Sequence, residues 1–550
     1  AAAEIETALT DSVIRDAVQQ LPPEIYHIEG DGITRKLIDR KATLSRTAIT
    51  YYTFISREVN ITGTNQKEFF RVSGEGNGLR VKVYARERGN DTSFTMYDRV
   101  FDPSVTREIR LFGLHDEDIF LVDSSARSPI KLRIIGGRGL DTFDIRGRVK
   151  TILYDLHDPR TGADYFIRDS QFARRRFSTT PLVNDRNLVG FRYNSTRFPR
   201  LHLNYNSDDG LIIGAGFSHR TQGFRNLPYA TDQRLSALYA VDRGALRLRY
   251  TGEFNHVFGN TDLVIRAQHA APALHNFFGL GNNTRIDERL PRRYYQTLFR
   301  YSEAEILFRR RLYDKLHLMG GPMLASYKAS FDRNRQTILS KPAAAGLDSS
   351  SVFSPKSWAG GRFIFHLDNR NRDFFPTRGM DWRNEITAMK GLRGESNSYV
   401  AWTSDMSIYA SLKEPAKMVA VLRFGGGRIY SRQFEYFQAM SIGAQQDLPG
   451  FRKQRYAGHA SLYGGMELRM QLFQLNSYIL PGPFGLSAFY HSGRVWQRND
   501  PLGKGKWHGS YGFGVYFLPF NLFAITAYAG YSEQEKMLNF TLGTRINLTY

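Results

Sequence analysis

Beyond about residue 190 the chain alternates apolar and polar positions in run after run. The last run is the cleanest: Leu538, Phe540, Leu542, Thr544, Ile546, Leu548 and Tyr550 share one face of an extended segment, and Asn539, Thr541, Gly543, Arg545, Asn547 and Thr549 share the other. Leu246, Leu248, Tyr250 and Phe254 likewise oppose Arg247, Arg249, Thr251 and Glu253, and Leu462, Met466, Leu468, Met470 and Leu472 oppose Tyr463, Glu467, Arg469 and Gln471. A membrane barrel would turn such apolar faces to lipid and the charged faces to a hydrated lumen; a soluble β array would also give one face of each kind. Candidate strands lie near 200–206, 211–219, 234–241, 245–254, 262–270, 295–310, 314–328, 358–368, 378–390, 398–412, 417–430, 458–473, 484–496, 510–518, 521–531 and 538–550. Their number is even, as bacterial outer-membrane barrels require, and long polar connections near 271–294, 329–357 and 431–457 contrast with short turns such as Ser207-Asp208-Asp209-Gly210. The expected fold class is an all-β transmembrane barrel of about sixteen antiparallel strands, preceded by a small α+β domain.

The N-terminal part has another period. Leu9, Val13, Ile14, Ala17 and Leu21, at three- and four-residue intervals around Thr10-Asp11-Ser12, predict a helix that Pro22-Pro23 ends, and residues 32–56 repeat the period less cleanly. From Glu68 to Asp155 short alternating runs return, as in Leu79-Arg80-Val81-Lys82-Val83-Tyr84. The expected organisation is a helical segment over 1–60, a β-rich periplasmic domain over 61–160, a linker over 161–190 and the barrel over 191–550.

Composition sharpens this. The 550 residues carry 75 Lys+Arg against 53 Asp+Glu, a net charge of +22, and no Cys, so disulfide and thiol chemistry have no residues to use. Mean hydropathy is −0.42, and no run approaches the ~20 apolar residues of a membrane-crossing helix. Alternating strands hide a lipid face inside such an average. The chain opens at Ala1 without a charged and apolar leader, as expected of a mature or truncated form. Its Arg residues are spread through almost every strand rather than gathered in one stripe, which favours lumen lining and contact with anionic lipid head groups over nucleic acid.

Four motifs, in order, resemble the barrel superfamily of the outer-membrane assembly factor BamA, the translocation factor TamA and the two-partner-secretion transporters. They are Asn276-Phe277-Phe278-Gly279-Leu280-Gly281-Asn282; Asp368-Asn369-Arg370 through Phe375-Pro376-Thr377-Arg378-Gly379; Leu448-Pro449-Gly450-Phe451; and Phe489-Tyr490-His491-Ser492-Gly493-Arg494-Val495-Trp496. The resemblance covers roughly residues 190–550. It implies that the loop near 431–457 folds into the lumen, with Leu448, Pro449, Gly450 and Phe451 at its tip and Phe489, His491 and Gly493 on the wall. The family pairs an Arg at the tip with an Asp on that wall; here the matching positions are Pro449 and His491. Losing both avoids leaving one charge buried alone, so other contacts must hold the loop: Phe451 against the wall, and Arg452, Lys453 or Arg455 with Glu467 or another wall carboxylate. An extracellular loop without fold-back is the competing expectation.

The resemblance further implies assistance in inserting or translocating polypeptides at a seam between the first and last strands, where Leu201, Phe540, Leu548 and Tyr550 would lie, with the last strand doubling as the barrel's own targeting signal. Its partners would be client polypeptides or accessory outer-membrane proteins, beside outer-membrane lipid and lipopolysaccharide. Residues 1–160 lack the β-α-α-β-β modules of family insertases and more nearly resemble the segment before the barrel in relatives that carry a calcineurin-like phosphoesterase upstream. The second expectation is therefore a closed barrel that anchors an enzyme or a partner complex.

No cofactor, and no enzyme within these residues, is expected. His115-Asp116 and His157-Asp158 lack the Gly-Asp and Gly-Asn-His neighbours of a two-metal phosphoesterase, and neither a Gly-x-Ser-x-Gly elbow nor a phosphate loop is present. Gly136 through Phe143 resembles the calcium repeat of β-rolls, which makes Gly137, Gly139 and Asp141 candidate ligands, with a degenerate copy from Gly113 to Phe120. A tight turn between strands is the preferred reading, because caging an ion needs adjacent stacked copies.

Overall fold

The computed structural model describes all residues except 1, 88–89, 157–164, 169–170, 179–180, 185–192, 207, 227, 314, 373–374, 445–446, 502–504, 523 and 544–550. It divides into two compact units, Ala1–Phe191 and Arg192–Tyr550. The expected strand residues Leu548 and Tyr550 lie outside the described residues, as do 161–164, 169–170, 179–180 and 185–190 of the expected linker.

Unit one begins with four helices, Ala2–Ala8, Asp11–Gln19, Pro23–Lys41 and Leu44–Ile55. Thr10 caps the second, its hydroxyl accepting from the Val13 amide, and Ile14 and Val18 are the buried positions of its apolar stripe. Pro22-Pro23 ends that helix and also starts the next: Pro23 stands in the first turn, where a missing N–H costs nothing.

The strands that follow place Gly139, Leu140 and Asp141 in a turn between two strands of a stack. Strands Glu58–Thr62, Glu108–His115, Lys131–Arg138, Thr151–Tyr154 and Ala173–Arg175 pair in parallel as one sheet. Glu68–Glu75, Ile119–Val122, Thr142–Ile145 and Tyr165–Arg168 do so in a second, which the antiparallel strands Gly78–Glu87 and Asn90–Phe101 extend. Three stretches of one pattern, 59–72, 109–122 and 132–145, therefore stack as rungs. Ile61, Leu111 and Ile134 lie in register inside, and Phe70, Phe120 and Phe143 form a ring stack with centroids 4.7 and 5.5 Å apart. The third copy, Gly63 to Phe70, is separated from the others by the antiparallel pair, which is why the sequence reading missed it.

Each rung carries a glycine and, five residues on, a buried acid: Gly63 and Glu68, Gly113 and Asp118, Gly136 and Asp141. The acids bond to the neighbouring rung, the Glu68 amide donating to Asp118 Oδ1 (2.8 Å) and the Asp118 amide to Asp141 Oδ1 (2.9 Å). The second carboxylate oxygen folds back over the rung's own glycine, where any Cβ would collide with it. Gly137 and Gly139, with φ of 135° and 155°, let the Leu114 and Asp116 carbonyls of the next rung pass. Burial pushes the Asp118 carboxyl up to about 8, and the Glu68 carboxyl beside it adds to the rise. An acid whose folded value is raised binds more protons folded than unfolded, so its contribution is present at low pH and is lost as pH rises from about 4 to about 8. The urea midpoint of unit one in the full chain, read by limited proteolysis, should fall between pH 5 and 8, and Asp118→Asn should flatten that fall. An equal slope in both proteins would refute the assignment.

Unit two is a closed barrel of sixteen strands: β1 (Ser195–Asn206), β2 (Gly210–Thr221), β3 (Thr231–Ala240), β4 (Ala245–Phe258), β5 (Thr261–Asn276), β6 (Gln296–Tyr313), β7 (Leu316–Ala329), β8 (Lys356–Asp368), β9 (Gly379–Gly391), β10 (Tyr399–Ala410), β11 (Met418–Ile429), β12 (Ala460–Leu475), β13 (Gly482–Trp496), β14 (His508–Phe517), β15 (Ala524–Ser532) and β16 (Lys536–Gly543). Each expected strand has its counterpart, and every neighbouring pair is antiparallel. Leu246, Leu248, Leu462, Met466, Leu468, Phe540 and their like are exposed on the outer face. Charge goes inside, since a Lys or Arg facing lipid at mid-depth costs roughly 2–4 kcal/mol. There Arg362 reaches Glu305 (2.7 Å), Glu385 (3.0 Å) and Glu303 (3.3 Å), and Arg309 reaches Glu253 (2.7 Å) and Asp262 (3.0 Å). Because strands alternate in direction, the connections 277–295, 330–355, 430–459 and 497–507 all leave the same end.

Candidate functional site: the inserted loop and the seam

The connection between β11 and β12 enters the barrel. Its root is a small hairpin, Met440–Ile442 against Tyr456–Gly458. Leu448, Phe451, Tyr456 and Ile442 form a fully buried cluster with Val495 of β13, and Tyr463 of β12 packs against it. Pro449 and Gly450 press on the inner wall: a Cβ on Gly530 would sit 2.5 Å from the Pro449 carbonyl, and one on Gly450 would collide with the Tyr531 carbonyl and crowd Ser510. Where the resemblance expects a wall carboxylate, His491 donates from Nδ1 to the Asp447 carbonyl at 2.9 Å. The Asp447 carboxylate closes the tip turn, accepting from the Gly443 and Leu448 amides. A ring-to-backbone bond and an apolar seat thus stand where the resemblance implies an ion pair.

All four motifs meet around this loop. Asn276 bonds its amide group to the Lys453 carbonyl (3.1 Å), Asn282 accepts from the Val495 amide (3.1 Å), and the Gly281 amide donates to the Ala457 carbonyl (2.8 Å). From the opposite end, the turn between β8 and β9 sends Phe375 inward, its ring 4.6 Å from that of Tyr516 and under the Arg469 guanidinium at 4.8 Å. Phe375 and Pro449 then face each other across a cavity of about 100 Å³ that Phe489 and His491 also line. Gly493 lies beside Ile442 and Tyr463, with no room for a Cβ without a shift. The other half of the lumen keeps a larger cavity, about 900 Å³, lined by the Arg and Glu networks.

Glu467 is not the partner of the basic run. Arg469, two residues along the same strand and so on the same face, holds it at 2.8 Å. Arg452, Lys453 and Arg455 turn instead toward the connections at the long-loop end. The sequence reading also missed the buried pair of Lys356, at the start of β8, with Glu435 in the loop; nothing in the local pattern links two residues so far apart.

The seam joins β1 to β16 through Leu203–Leu542, Asn204–Thr541 and Tyr205–Phe540 among the described residues. Tyr205 and Phe540 are both exposed on the outer face, and Leu201 precedes these pairs on β1. Of metal-ligand clusters, the described residues offer His366, Asp368 and Asp381. Arg370 already bridges both carboxylates there, at 2.6 and 3.0 Å, so a resident cation has taken that place. The calcium candidates Asp141, Gly137 and Gly139 lie in the stacked rungs described above.

A closed, even-stranded antiparallel barrel with an apolar outer belt, a charged lumen and a loop folded into it defines an outer-membrane β-barrel protein. Residues 359–546 match the model of the Omp85 superfamily domain. Solved structures similar to this chain include BamA from Haemophilus ducreyi lacking POTRA domains 1–3, at 15% identity over 64% of this chain and 70% of that one with a TM-score of 0.47. They also include CdiB from Escherichia coli (12%, 68% and 66%, 0.44) and CdiB from Acinetobacter baumannii (12%, 64% and 59%, 0.40). No curated protein sequence matches the chain.

Proposed function

We propose that this barrel assists the insertion or translocation of polypeptides at the outer membrane through the β1–β16 seam, with unit one in the periplasm. The observation that carries the reading is the half of the lumen that is filled: the loop tip from one end and Phe375 from the other close off the wall from β11 to β15. A passive pore needs that space open. A seam between strands, by contrast, offers backbone donors and acceptors to an incoming strand, the energetics of edge addition. Client polypeptides, accessory outer-membrane proteins, outer-membrane lipid and lipopolysaccharide are the partners this implies.

The hydrogen-bonded pairs across the seam favour a second reading, a closed barrel that anchors a periplasmic or surface enzyme, such as a metallophosphoesterase preceding this chain, or a partner complex. Cysteines at Tyr205 and Phe540, which face each other in register and enter a chain with no Cys of its own, separate the two. In vesicles holding the oxidised variant, folding of an added, urea-unfolded eight-stranded outer-membrane barrel should drop to the rate of empty vesicles and recover on reduction. An unchanged rate with the seam crosslinked sinks the lateral route and leaves the anchor.

A further inference from the structure

Every other pair of neighbouring strands in the barrel is tied covalently at one end or the other by a turn or loop; β1 and β16 are not. At the long-loop end, the turns nearest the seam are the β1–β2 turn, with Asp208 and Asp209, and the β15–β16 turn, 533–535. The inserted loop runs between them as it leaves its tip. Arg452 Nε meets Glu535 Oε1 at 2.6 Å, its backbone amide donates to Glu535 Oε2 at 3.0 Å, and its Nη1 lies 3.4 Å from Asp208 Oδ1. The Lys453 amide donates to Asp208 Oδ2 at 2.8 Å, and its ammonium lies 3.7 Å from Asp209. Arg455, fully buried, donates to Gln534 Oε1 (2.7 Å) in the second turn and to Thr284 in the β5–β6 connection, and stacks over Tyr456 at 4.4 Å.

We propose that Arg452 is a clasp across the seam: one guanidinium holds the β1–β2 turn on one side and the β15–β16 turn on the other, supplying at this end the link that chain connectivity gives every other strand pair. Asp208 and Asp209 are buried and the Glu535 side chain is largely covered, so with Arg452 withdrawn three carboxylates face one another with less cation between them, and attraction across the seam becomes repulsion. Burial already pushes the Asp208 and Glu535 carboxyls above the ordinary range, which makes their charged form depend on the cations beside them. The same residue carries the loop tip, because Arg452 follows Phe451 directly. Tip in the lumen and seam held shut are thus one state, and releasing the clasp frees both. Arg452 is a positioning residue here, and its use in client passage rests on the lateral-seam reading above.

The test needs no client. Nitroxide labels on cysteines at Leu211 and Glu533, one on each side of the seam, report the separation of the two hairpins in nanodiscs by pulsed electron resonance. The parent should give one narrow distance, Arg452→Glu a second, longer population, Arg452→Lys a smaller change, and the swap Arg452→Glu with Glu535→Arg a return toward the parent. Heat-modifiable mobility checks that each barrel is folded; should Arg452→Glu not assemble, Glu535→Gln removes one charge at constant shape and should still show the longer population. An unchanged distance in a folded Arg452→Glu or Glu535→Gln barrel overturns the clasp. A longer distance with unaltered folding of an added barrel substrate upholds the clasp and instead removes the lateral-seam reading.

Discussion

Replacing Gly450 by valine should evict the loop tip and turn an occluded barrel into a conducting one. A Cβ there collides with the backbone carbonyl of Tyr531, and the branched methyls meet Ser510; neither neighbour is the free end of a flexible side chain. Overpacking of this kind costs about 1–3 kcal/mol, and it falls on a loop that the family-type ion pair does not hold, since Pro449 and His491 occupy those positions. The cheapest relief is for 443–455 to leave the wall. Planar bilayers should then show stepwise channels where the parent shows none, and trypsin should cut at Arg452, Lys453 or Arg455, now buried or half-buried. A silent, trypsin-resistant Gly450→Val barrel would mean that the tip is not what fills the lumen.

The second large effect belongs to Lys356 and Glu435. Lys356 has no solvent contact and Glu435 almost none, so Lys356→Met leaves a carboxylate buried beside no cation, at a cost of roughly 3–5 kcal/mol. The damage should be local. Glu435 caps the short helical turn Tyr436–Gln438, which presents Tyr436 and Phe437 to the aromatic cluster of Phe277, Phe299 and Tyr327, so the root of the inserted loop should loosen while the strands stay paired. Hydrogen exchange over 430–442 should rise sharply in Lys356→Met. Adding Glu435→Gln should restore most of the protection, short of the full cap. Equal exchange in all three proteins would show that the pair does not hold the root.

The strands were legible because lipid imposes a two-residue period on every one of them, and a lumen imposes its complement. Leu246 to Phe254 and Leu462 to Leu472 could be read without any neighbour. The loop tip was legible from motifs that meet in space as their order suggested. Partners were not. Glu467 looked available to the basic run because it faces the lumen, yet Arg469 shares its face two residues on and claims it. Asp208 was legible only as part of a short turn and Glu535 only as lying between two candidate strands, and only closure of the barrel brings them to one guanidinium. In unit one, the pattern from Gly113 and from Gly136 was visible, but the copy at Gly63 lies beyond an inserted antiparallel pair, and two visible copies read more readily as a turn than as a stack.

That stack and the barrel respond in opposite ways to a change in chain length. One more rung would add a strand spacing of about 4.8 Å, leaving older rungs with the neighbours they had, and stability in such arrays accumulates unit by unit. One more strand in the barrel would bring the last strand alongside the first in the parallel sense and reset tilt and stagger for the entire ring. Duplication is therefore tolerable in one unit and ruinous in the other. Even in the stack the glycine pattern has an end, though the parallel strands run on past it: Asp155, next to the Tyr154 that pairs with Ile135, stands where a fourth glycine would and lays its own carboxylate over Gly136.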